Sequence, residues 1–536
     1  MRALSFILAQ VNPFAIIMYI KNSVIQYNPI LKKVRLLTMQ AIIIACITFI
    51  LVGCKKSSSS DSADTGATVT IDSSGITSST AEGSTEVGFN ADDLIENSTF
   101  SSVVTINFGS TITISNPLSA SGVTVTESNG DVTITSSANA VEYQLNGTTT
   151  NGSVKIYSDK KFKLTLNGVN ITNADGSAIN IQSSKRAFVV LADNTTNTLA
   201  DGTTYATSTE DMKGTIFSEG QMIFSGTGSL NVTGNYKHAI ASDDYIRIRS
   251  GNITIANAVK DGIHTNDAFI ADGGTLTIAA KSDGIECEKG YIIINDGTFV
   301  LNPVDDGITA SYTGTDSSIT PYVTINGGNF TIKTTTGEGI ESKSVLTINN
   351  GTISATTADD GLNGGTAIYI NGGSIYCYST GNDAMDSNGI FTITGGKVIA
   401  AGAKAPEAGI DCDARTLKIT GGIVVGIGGA TSGPSATAST VHAVVMGSGT
   451  TQIIHIEAAD GTEALTFLAP ESYSTLLFAS AKLKASTTYN VYTGGNANGT
   501  NFNGLYLSGT YTKGTKSTSF TTSSMVTQIG GSISRN

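Results

Sequence analysis

One phrase recurs along the second half of this 536-residue sequence, and it constrains the fold more than any other feature. The phrase is an acidic residue, a glycine and an isoleucine, then a short polar segment, then apolar-x-apolar-x-x-Gly-x-apolar-x-apolar. Clear copies begin at Asp261, Asp283, Asp306, Glu338 and Asp360, and degenerate copies at Ala239, Asp383 and Ala408. Most copies lie 22 or 23 residues apart, which is a period typical of solenoids.

Apolar and polar residues alternate within each copy, as in Ile246 and Ile248 and then Ile253 and Ile255. Alternation at period two indicates strands with one face inward. Three such strands cannot bury their apolar faces alone, but stacked copies form three sheets around one core. The sequence therefore predicts an all-β, right-handed, single-stranded parallel β-helix with about 23 residues per rung. The glycines predicted at its corners are Gly251, Gly274, Gly297, Gly328, Gly351, Gly373, Gly396 and Gly422.

The N-terminus predicts export and lipid attachment. Lys32, Lys33 and Arg35 precede an apolar stretch, residues 36–52, that is followed by Gly53 and Cys54. A small residue before a cysteine at this place resembles the lipobox of bacterial lipoproteins, so Cys54 is the predicted lipidation site. The alternative is an uncleaved transmembrane helix, because the stretch is nearly long enough to span a bilayer. We expect a surface-exposed protein of the cell envelope that contacts the membrane through its lipid anchor alone.

These signals divide the chain into five parts. The predicted parts are a signal peptide (1–53), the acylated cysteine with a flexible tether (54–66), an N-terminal β region with early rungs (67–153), the β-helix (154–440) and a small β-rich C-terminal cap or module (441–536).

Charge and cysteine content limit the partners. The formal net charge is -12, so nucleic acid and anionic lipid surfaces are poor partners.

Outside the signal peptide and the anchor, the cysteines are Cys287, Cys377 and Cys412. Their odd number argues against a disulfide framework. Cys287 and Cys412 fall in a small inward slot after the phrase isoleucine, so we interpret them as core residues. We expect a monomer.

Carboxylates concentrate in columns. The phrase acid forms one column, and alternation directs the first and third residues after the isoleucine outward to form two more. Adjacent rungs lie about 5 Å apart, where unshielded carboxylates repel and calcium would bind. Alternatively, the phrase acids accept hydrogen bonds from turn amides. The predicted calcium ligands are Asp261, Asp283, Glu286, Glu288, Asp306, Glu338, Asp360, Asp383, Asp411 and Asp413.

The same columns supply candidate sugar contacts. To the outward acids we add two tyrosines, because aromatic rings can stack on sugars. The predicted carbohydrate-binding residues are Glu286, Glu288, Glu341, Asp386, Asp411, Asp413, Tyr245 and Tyr291.

Several segments resemble a known family. Asp261-Gly262-Ile263-His264, Ile325 to Ile332 and Leu191 to Leu199 are similar to the clostridial cell-surface carbohydrate-binding β-helix proteins. The resemblance implies a pectate-lyase-like fold with calcium sites that binds cellulose and acidic sugars without clear lyase activity. We therefore interpret the function as non-catalytic, calcium-assisted binding of a polysaccharide such as cellulose or polygalacturonate.

Two alternatives remain, a lyase acting on a pectin-like substrate and a passive surface stalk or adhesin. A lyase of this fold needs a base, usually arginine, near the substrate proton. Arg247, Arg249 and Arg415 are the candidates, and we interpret them as solvated surface residues. Glycoside hydrolysis would need two carboxylates across a cleft, and the columns contain many. The four histidines share no spacing that indicates a metal site or a triad.

The lipobox generates the first prediction. Replacing Cys54 with Ala should move the protein from the detergent phase to the aqueous phase in a phase-separation assay, because the acyl chains would be lost. Membrane retention of the Cys54→Ala variant would contradict lipid anchoring.

Overall fold

A computed structural model describes residues 66–534 of the chain. The predicted signal peptide, Cys54 and the tether up to residue 65 lie outside these residues. Within residues 66–534 the helices are two 3-10 turns, Ala91–Asp93 and Ile95–Asn97, and none is long and apolar enough to cross a membrane. The rest is β-structure that winds into a parallel β-helix, so the predicted fold class is confirmed.

Each rung contributes one strand to each of three sheets. The first sheet has 13 strands and opens with an antiparallel pair, after which every pairing is parallel. Its strands are Val123–Ser128, Asp131–Ser136, Ser153–Ser158, Ile179–Ile181, Gly214–Ser218, His238–Ser242, Ile263–Thr265, Ile285–Cys287, Ile308–Ala310, Ile340–Ser342, Leu362–Gly364, Met385–Ser387 and Ile410–Cys412.

The second and third sheets share their earliest strands and then separate. Shared or early strands are Ser102–Phe108, Thr113–Ser115, Val141–Thr149 and Phe162–Thr172. The second sheet continues through Ala187–Leu191, Met222–Gly226, Tyr245–Ile248, Ala268–Ala271, Tyr291–Ile294, Val323–Ile325, Val345–Ile348, Ala367–Ile370, Ile390–Ile393 and Leu417–Ile419. The third continues through Thr196–Ala200, Ser229–Gly234, Asn252–Ala258, Thr275–Ala280, Thr298–Pro303, Asn329–Lys333, Thr352–Thr357, Ser374–Ser379, Lys397–Ala401 and Ile423–Gly428.

The phrase isoleucines stack in register through the first sheet. Ile263 pairs with Ile240 on one side and Ile285 on the other, and the column continues to Ile410 with every member fully buried. The insertion at residues 312–321 leaves this register intact, because Ile308 still pairs with Ile340 across it. Equivalent positions of successive rungs therefore meet directly, which stacks the recurring residues of the repeat in columns.

The small inward slots and the corner glycines behave as predicted. Cys287, Cys377 and Cys412 are buried free thiols, and burial raises the pKa of Cys287 to about 12. All eight predicted corner glycines have positive φ, between +79° and +131°. At Gly351, φ is +116° and an added Cβ would lie 3.0 Å from the carbonyl oxygen of Gly328 in the preceding rung.

An N-terminal strap, residues 72–101, runs along the outer side of the second sheet, from its last rungs towards its early ones. Asparagine side chains of four successive rungs donate to its backbone: Asn371 to Glu82 at 2.7 Å, Asn349 to Ser84 at 2.9 Å, Asn326 to Glu86 at 2.8 Å and Asn295 to Val87 at 2.9 Å. These asparagines also bond to one another as a ladder. Sequence periodicity did not reveal this strap, because its own segment carries no repeat.

A C-terminal cap ends the parallel stacking. Thr475–Ser480 pairs antiparallel with Ile423–Gly428, the last strand of the third sheet. The other cap strands are Thr431–Ser432, Ala443–Met446, Ile453–Ala458, Glu463–Leu468, Thr488–Thr493, Asn496–Asn498, Asn501–Phe502, Leu505–Tyr506, Gly509–Thr512, Thr515–Thr521, Val526–Gln528 and Ile533–Ser534. Thr68–Ile71 joins them by pairing with Gly509–Thr512. Such a cap removes the open edge that parallel stacking would otherwise expose.

The corner geometry predicts which surface substitutions are harmful. Gly351→Val should lower the free energy of unfolding by about 2 kcal/mol or more, because a β-branched residue is strained at positive φ. Lys333→Ala, at an exposed strand position nearby, should change it by less than about 0.5 kcal/mol. Denaturant unfolding followed by circular dichroism would measure both, and equal effects would contradict the rung assignment.

Candidate functional site

The candidate site is the acid face, defined as the outer side of the first sheet together with the phrase acids of the turns that lead into it. In the turns, four of the six phrase carboxylates reach the backbone of the next rung. Asp261 Oδ1 accepts from the amide of Asp283 at 3.3 Å, and Asp283 Oδ1 accepts from Asp306 at 2.9 Å. Asp306 Oδ1 accepts from Glu338 at 2.8 Å, and Asp383 accepts from Ala408. Turn capping is therefore confirmed for these four residues, and their role as metal ligands stays a prediction.

Most of these stacked carboxylates resist ionisation. Burial, reinforced by the charges of neighbouring carboxylates, raises the pKa of Asp283 to about 8 and that of Asp360 to about 9. The pKa of Asp383 is raised to about 7, mainly by burial, and that of Asp306 is also raised by burial and by Glu338. Positive charge supplied between the rungs would relieve this cost.

Two strands in the middle of the first sheet contain histidines, His238 in the sixth strand and His264 in the seventh. His264 Nδ1 lies 3.1 Å from Asp261 Oδ2 and 2.9 Å from Glu286 Oε2, and its Nε2 lies 3.5 Å from Glu288 Oε2. Burial lowers the pKa of His264, but the Asp261 and Glu286 carboxylates outweigh it and raise that pKa to about 9. Burial raises the pKa of Asp261, but His238 and His264 outweigh it and lower it. Glu286 and Glu288 are thus arranged around a histidine, which the sequence reasoning did not foresee.

Three rungs beyond His264 the outward acid is neutralised by the protein itself. Glu341 is only 3% exposed, and it accepts from Thr309 Oγ1 at 2.8 Å and from the ammonium of Lys343. The first outward column is therefore largely buried, although alternation directs it outward, because its side chains bond to those of adjacent rungs.

At the last rungs three carboxylates converge. Asp383, Asp386 and Asp411 each offer an oxygen, and these oxygens lie within 4.8 Å of one another. Asp411 is buried, and its Oδ1 accepts from Ser432 Oγ at 2.8 Å and from Ser534 Oγ at 3.3 Å. Asp413 is exposed and is not part of this cluster. The structure thus joins Asp411 to Asp383 and Asp386, where the sequence pattern had paired it with Asp413.

The two predicted tyrosines lie on the second sheet and not on the acid face. Tyr245 donates to Asp93 Oδ1 of the strap at 2.6 Å and accepts from Arg186 at 2.9 Å. Tyr291 stacks on Tyr322 with ring centroids 4.9 Å apart. Their predicted contact with sugar is thereby separated from the carboxylates, and Tyr245 is held by the strap.

The interpretation of Arg247 as a solvated residue is wrong. It is 5% exposed, donates to both oxygens of Asp272 at 2.7 and 2.9 Å, and lies 3.3 Å from Asp93 of the strap. Arg249 forms an ion pair with Glu96 at 2.8 Å. No local pattern could have shown the contacts with the strap, because Asp93 and Glu96 lie 154 and 153 residues from their arginines in the chain.

Comparison with known proteins adds to this geometry. A family model described as carbohydrate-binding domain-containing protein matches residues 128–399, which is just over half of the chain. The chain belongs to this carbohydrate-binding family. The matched residues include the acid face up to Asp386 but not the cap.

The chain is similar to two further proteins. A carbohydrate-binding domain-containing protein of Acetivibrio thermocellus is 33% identical over 118 residues, which cover 21% of this chain and 41% of that protein. The chain thus spans well under half the length of that family member. A solved polysaccharide lyase-like protein from C. thermocellum, a gadolinium derivative, is 24% identical with a TM-score of 0.38, and the match covers 54% of this chain and 96% of that one.

The carboxylate stack predicts a pH dependence for the metal-free protein. The pKa of Asp360 rises on folding from 3.8 to about 9, so its contribution to stability is fully present below about pH 4 and is lost as the pH rises towards 9. Asp360→Asn should therefore flatten the fall in unfolding free energy between about pH 5 and pH 8, by up to about 1.4 kcal/mol per pH unit.

Urea unfolding in chelator across this range would measure the slope. Asp159→Asn, which changes an exposed aspartate away from the stack, is the matched control and should parallel the wild type. Identical slopes for Asp360→Asn and the wild type would contradict the assigned burial of this charge.

Proposed function

We propose that this protein binds polysaccharide at the cell surface without cleaving it, and that calcium on the acid face bridges it to an acidic polysaccharide. The observation that carries the proposal is the convergence of Asp383, Asp386 and Asp411 at the end of a face that is lined by carboxylates. Membership of a carbohydrate-binding family supports the polysaccharide as the ligand.

Charge makes a bridging cation necessary for an acidic ligand. A chain of net charge -12 repels a polyanion, and the lysines Lys155 and Lys343 of this face are already paired with Glu210 and Glu341. Calcium takes six to eight oxygen ligands in flexible geometry, as a general rule. Three carboxylates of the cluster would fill part of that shell, and sugar carboxylates would complete it. Asp413 follows Asp411 in the same rung. Glu286 and Glu288 lie four rungs from Asp386 on the same face.

The positions of the arginines favour a binder over a lyase. Arg247 and Arg249 lie on the second sheet, where the strap carboxylates Asp93 and Glu96 hold them. Neither is placed to remove a proton from a sugar on the acid face. Arg415, which follows Asp411 and Asp413 in the chain, is the arginine on which the lyase alternative depends.

A neutral glycan such as cellulose would use a different surface. A groove of about 820 Å³ runs beside strap residues 76–78 and crosses the corners of five successive rungs, where it is lined mainly by asparagine and glycine. Its amides and backbone groups suit sugar hydroxyls and need no metal. The two surfaces thus predict opposite responses to chelator.

We expect the protein to sediment with insoluble polygalacturonate in calcium and to remain in solution in chelator. Asp411→Asn combined with Asp413→Asn should weaken the calcium-dependent binding by about tenfold or more, because a principal ligand would be lost. The control is Asp193→Asn with Asp460→Asn, two exposed aspartates outside both the acid face and the groove, which should bind like the wild type.

Cellulose in the same assay separates the two surfaces. Binding that persists in chelator and is unchanged in the double variant would indicate that the ligand binds in the groove. The carboxylates of the acid face would then have a structural role. Polygalacturonate incubated with the protein and calcium should yield no unsaturated oligosaccharides. Their appearance would contradict the binding function and support the lyase alternative. Failure to bind any glycan would favour the stalk.

A further inference from the structure

We infer that His238, His264, Asp261 and Glu286 form a binding site for a divalent transition metal of the zinc class, separate from any calcium on the acid face. The donors come from neighbouring rungs and from two different parts of the rung. His238 opens one strand of the first sheet, Asp261 lies in the next turn, His264 follows in the next strand, and Glu286 lies one rung further on.

The donor atoms have the spacing of a coordination shell. Asp261 Oδ2 lies 2.9 Å from His238 Nδ1 and 3.1 Å from His264 Nδ1, and Glu286 Oε2 lies 2.9 Å from His264 Nδ1. Neighbouring ligands around a zinc ion at about 2.0–2.1 Å lie roughly 3.0–3.4 Å apart. The two imidazole rings stack with centroids 4.2 Å apart, and the Nδ1 atom of each lies within 3.1 Å of the same Asp261 oxygen.

Hydrogen bonding accounts for one histidine but not for the other. His264 Nδ1 bonds to Asp261 and to Glu286. His238 is 5% exposed, and its Nδ1 has no hydrogen-bond partner within residues 66–534, although it is 2.9 Å from Asp261 Oδ2. The distance suits a hydrogen bond and the direction does not. A buried polar nitrogen of this kind is costly unless something else occupies its lone pair, and a metal would do so.

Second contacts orient the proposed ligands. Asp261 uses its other oxygen to accept from the amide of Asp283, and Glu286 Oε1 accepts from Ser311 Oγ at 2.7 Å. Such outer contacts are typical of metal ligands. Two imidazoles favour zinc, copper or nickel over calcium, which prefers an all-oxygen shell. The site would join three rungs of the helix.

Zinc binding to the chelator-treated mature protein tests the inference, with titration against a chromophoric chelator in a millimolar excess of calcium. We expect one zinc per chain in the wild type, and binding at least about tenfold weaker in His238→Gln and in His264→Gln. His442→Gln is the matched control, because this histidine contacts Ser524 in the cap and should not affect binding. Far-ultraviolet circular dichroism checks that each variant folds.

X-ray absorption of the zinc-loaded wild type provides a readout that does not depend on the variants. Two imidazoles in the shell would support the assignment. An all-oxygen shell, displacement of the zinc by calcium, or wild-type affinity in both histidine variants would overturn it. None of these results depends on glycan binding, so the calcium-bridged function can fail while the zinc site stands, and the reverse is equally possible.

Discussion

The parallel register of the first sheet is the constraint on which the rest of the structure depends. Because Ile263 faces Ile240 and Ile285 directly, every position of a rung meets its equivalent at the strand spacing of about 4.8 Å. Inside, this register builds continuous apolar columns. Outside, it obliges any residue type that recurs in the repeat to stack on itself. The acid face is therefore a direct consequence of the register that forms the core.

The protein tolerates a column of acidic residues because different side chains bond to the carboxylates in different parts of the face. At the seventh strand of the first sheet His264 bonds to Asp261 and Glu286. Three rungs further on, Thr309 and Lys343 donate to Glu341. At the last rungs carboxylates lie close to carboxylates, and Asp411 accepts from two serine hydroxyls. The chemistry of the face thus changes along the helix axis, from imidazole-rich to oxygen-rich, which is why we propose two kinds of metal for one repeat.

Periodicity predicted the features that follow from stacking and missed those that cross it. The corner glycines, the buried Cys287 and Cys412 and the capping aspartates all occupy fixed positions of the repeat. The contact of Arg247 with Asp93 does not, since it joins the repeat to a strap without periodicity. The proximity of His238 and His264 could not be predicted from the columns either. His238 pairs with Gly214 and His264 with Ala241, so the two histidines belong to different columns. They meet because both rings turn towards Asp261.

The strap and the cap cover much of the second and third sheets, which is why function is best sought on the acid face. The strap packs along the second sheet, and Gly83 approaches Tyr369 and Thr347 so closely that an added Cβ would lie 2.7 Å from each. The cap packs on the third sheet, where Ile399 and Val425 share a core with Leu465 and Phe467. Tyr376 and Tyr378 pack against that same core. Much of the apolar and aromatic surface of these two sheets is thus used within the protein. The acid face instead repeats polar groups at the rung spacing, and this regularity suits the repeating polymer that we propose as the ligand.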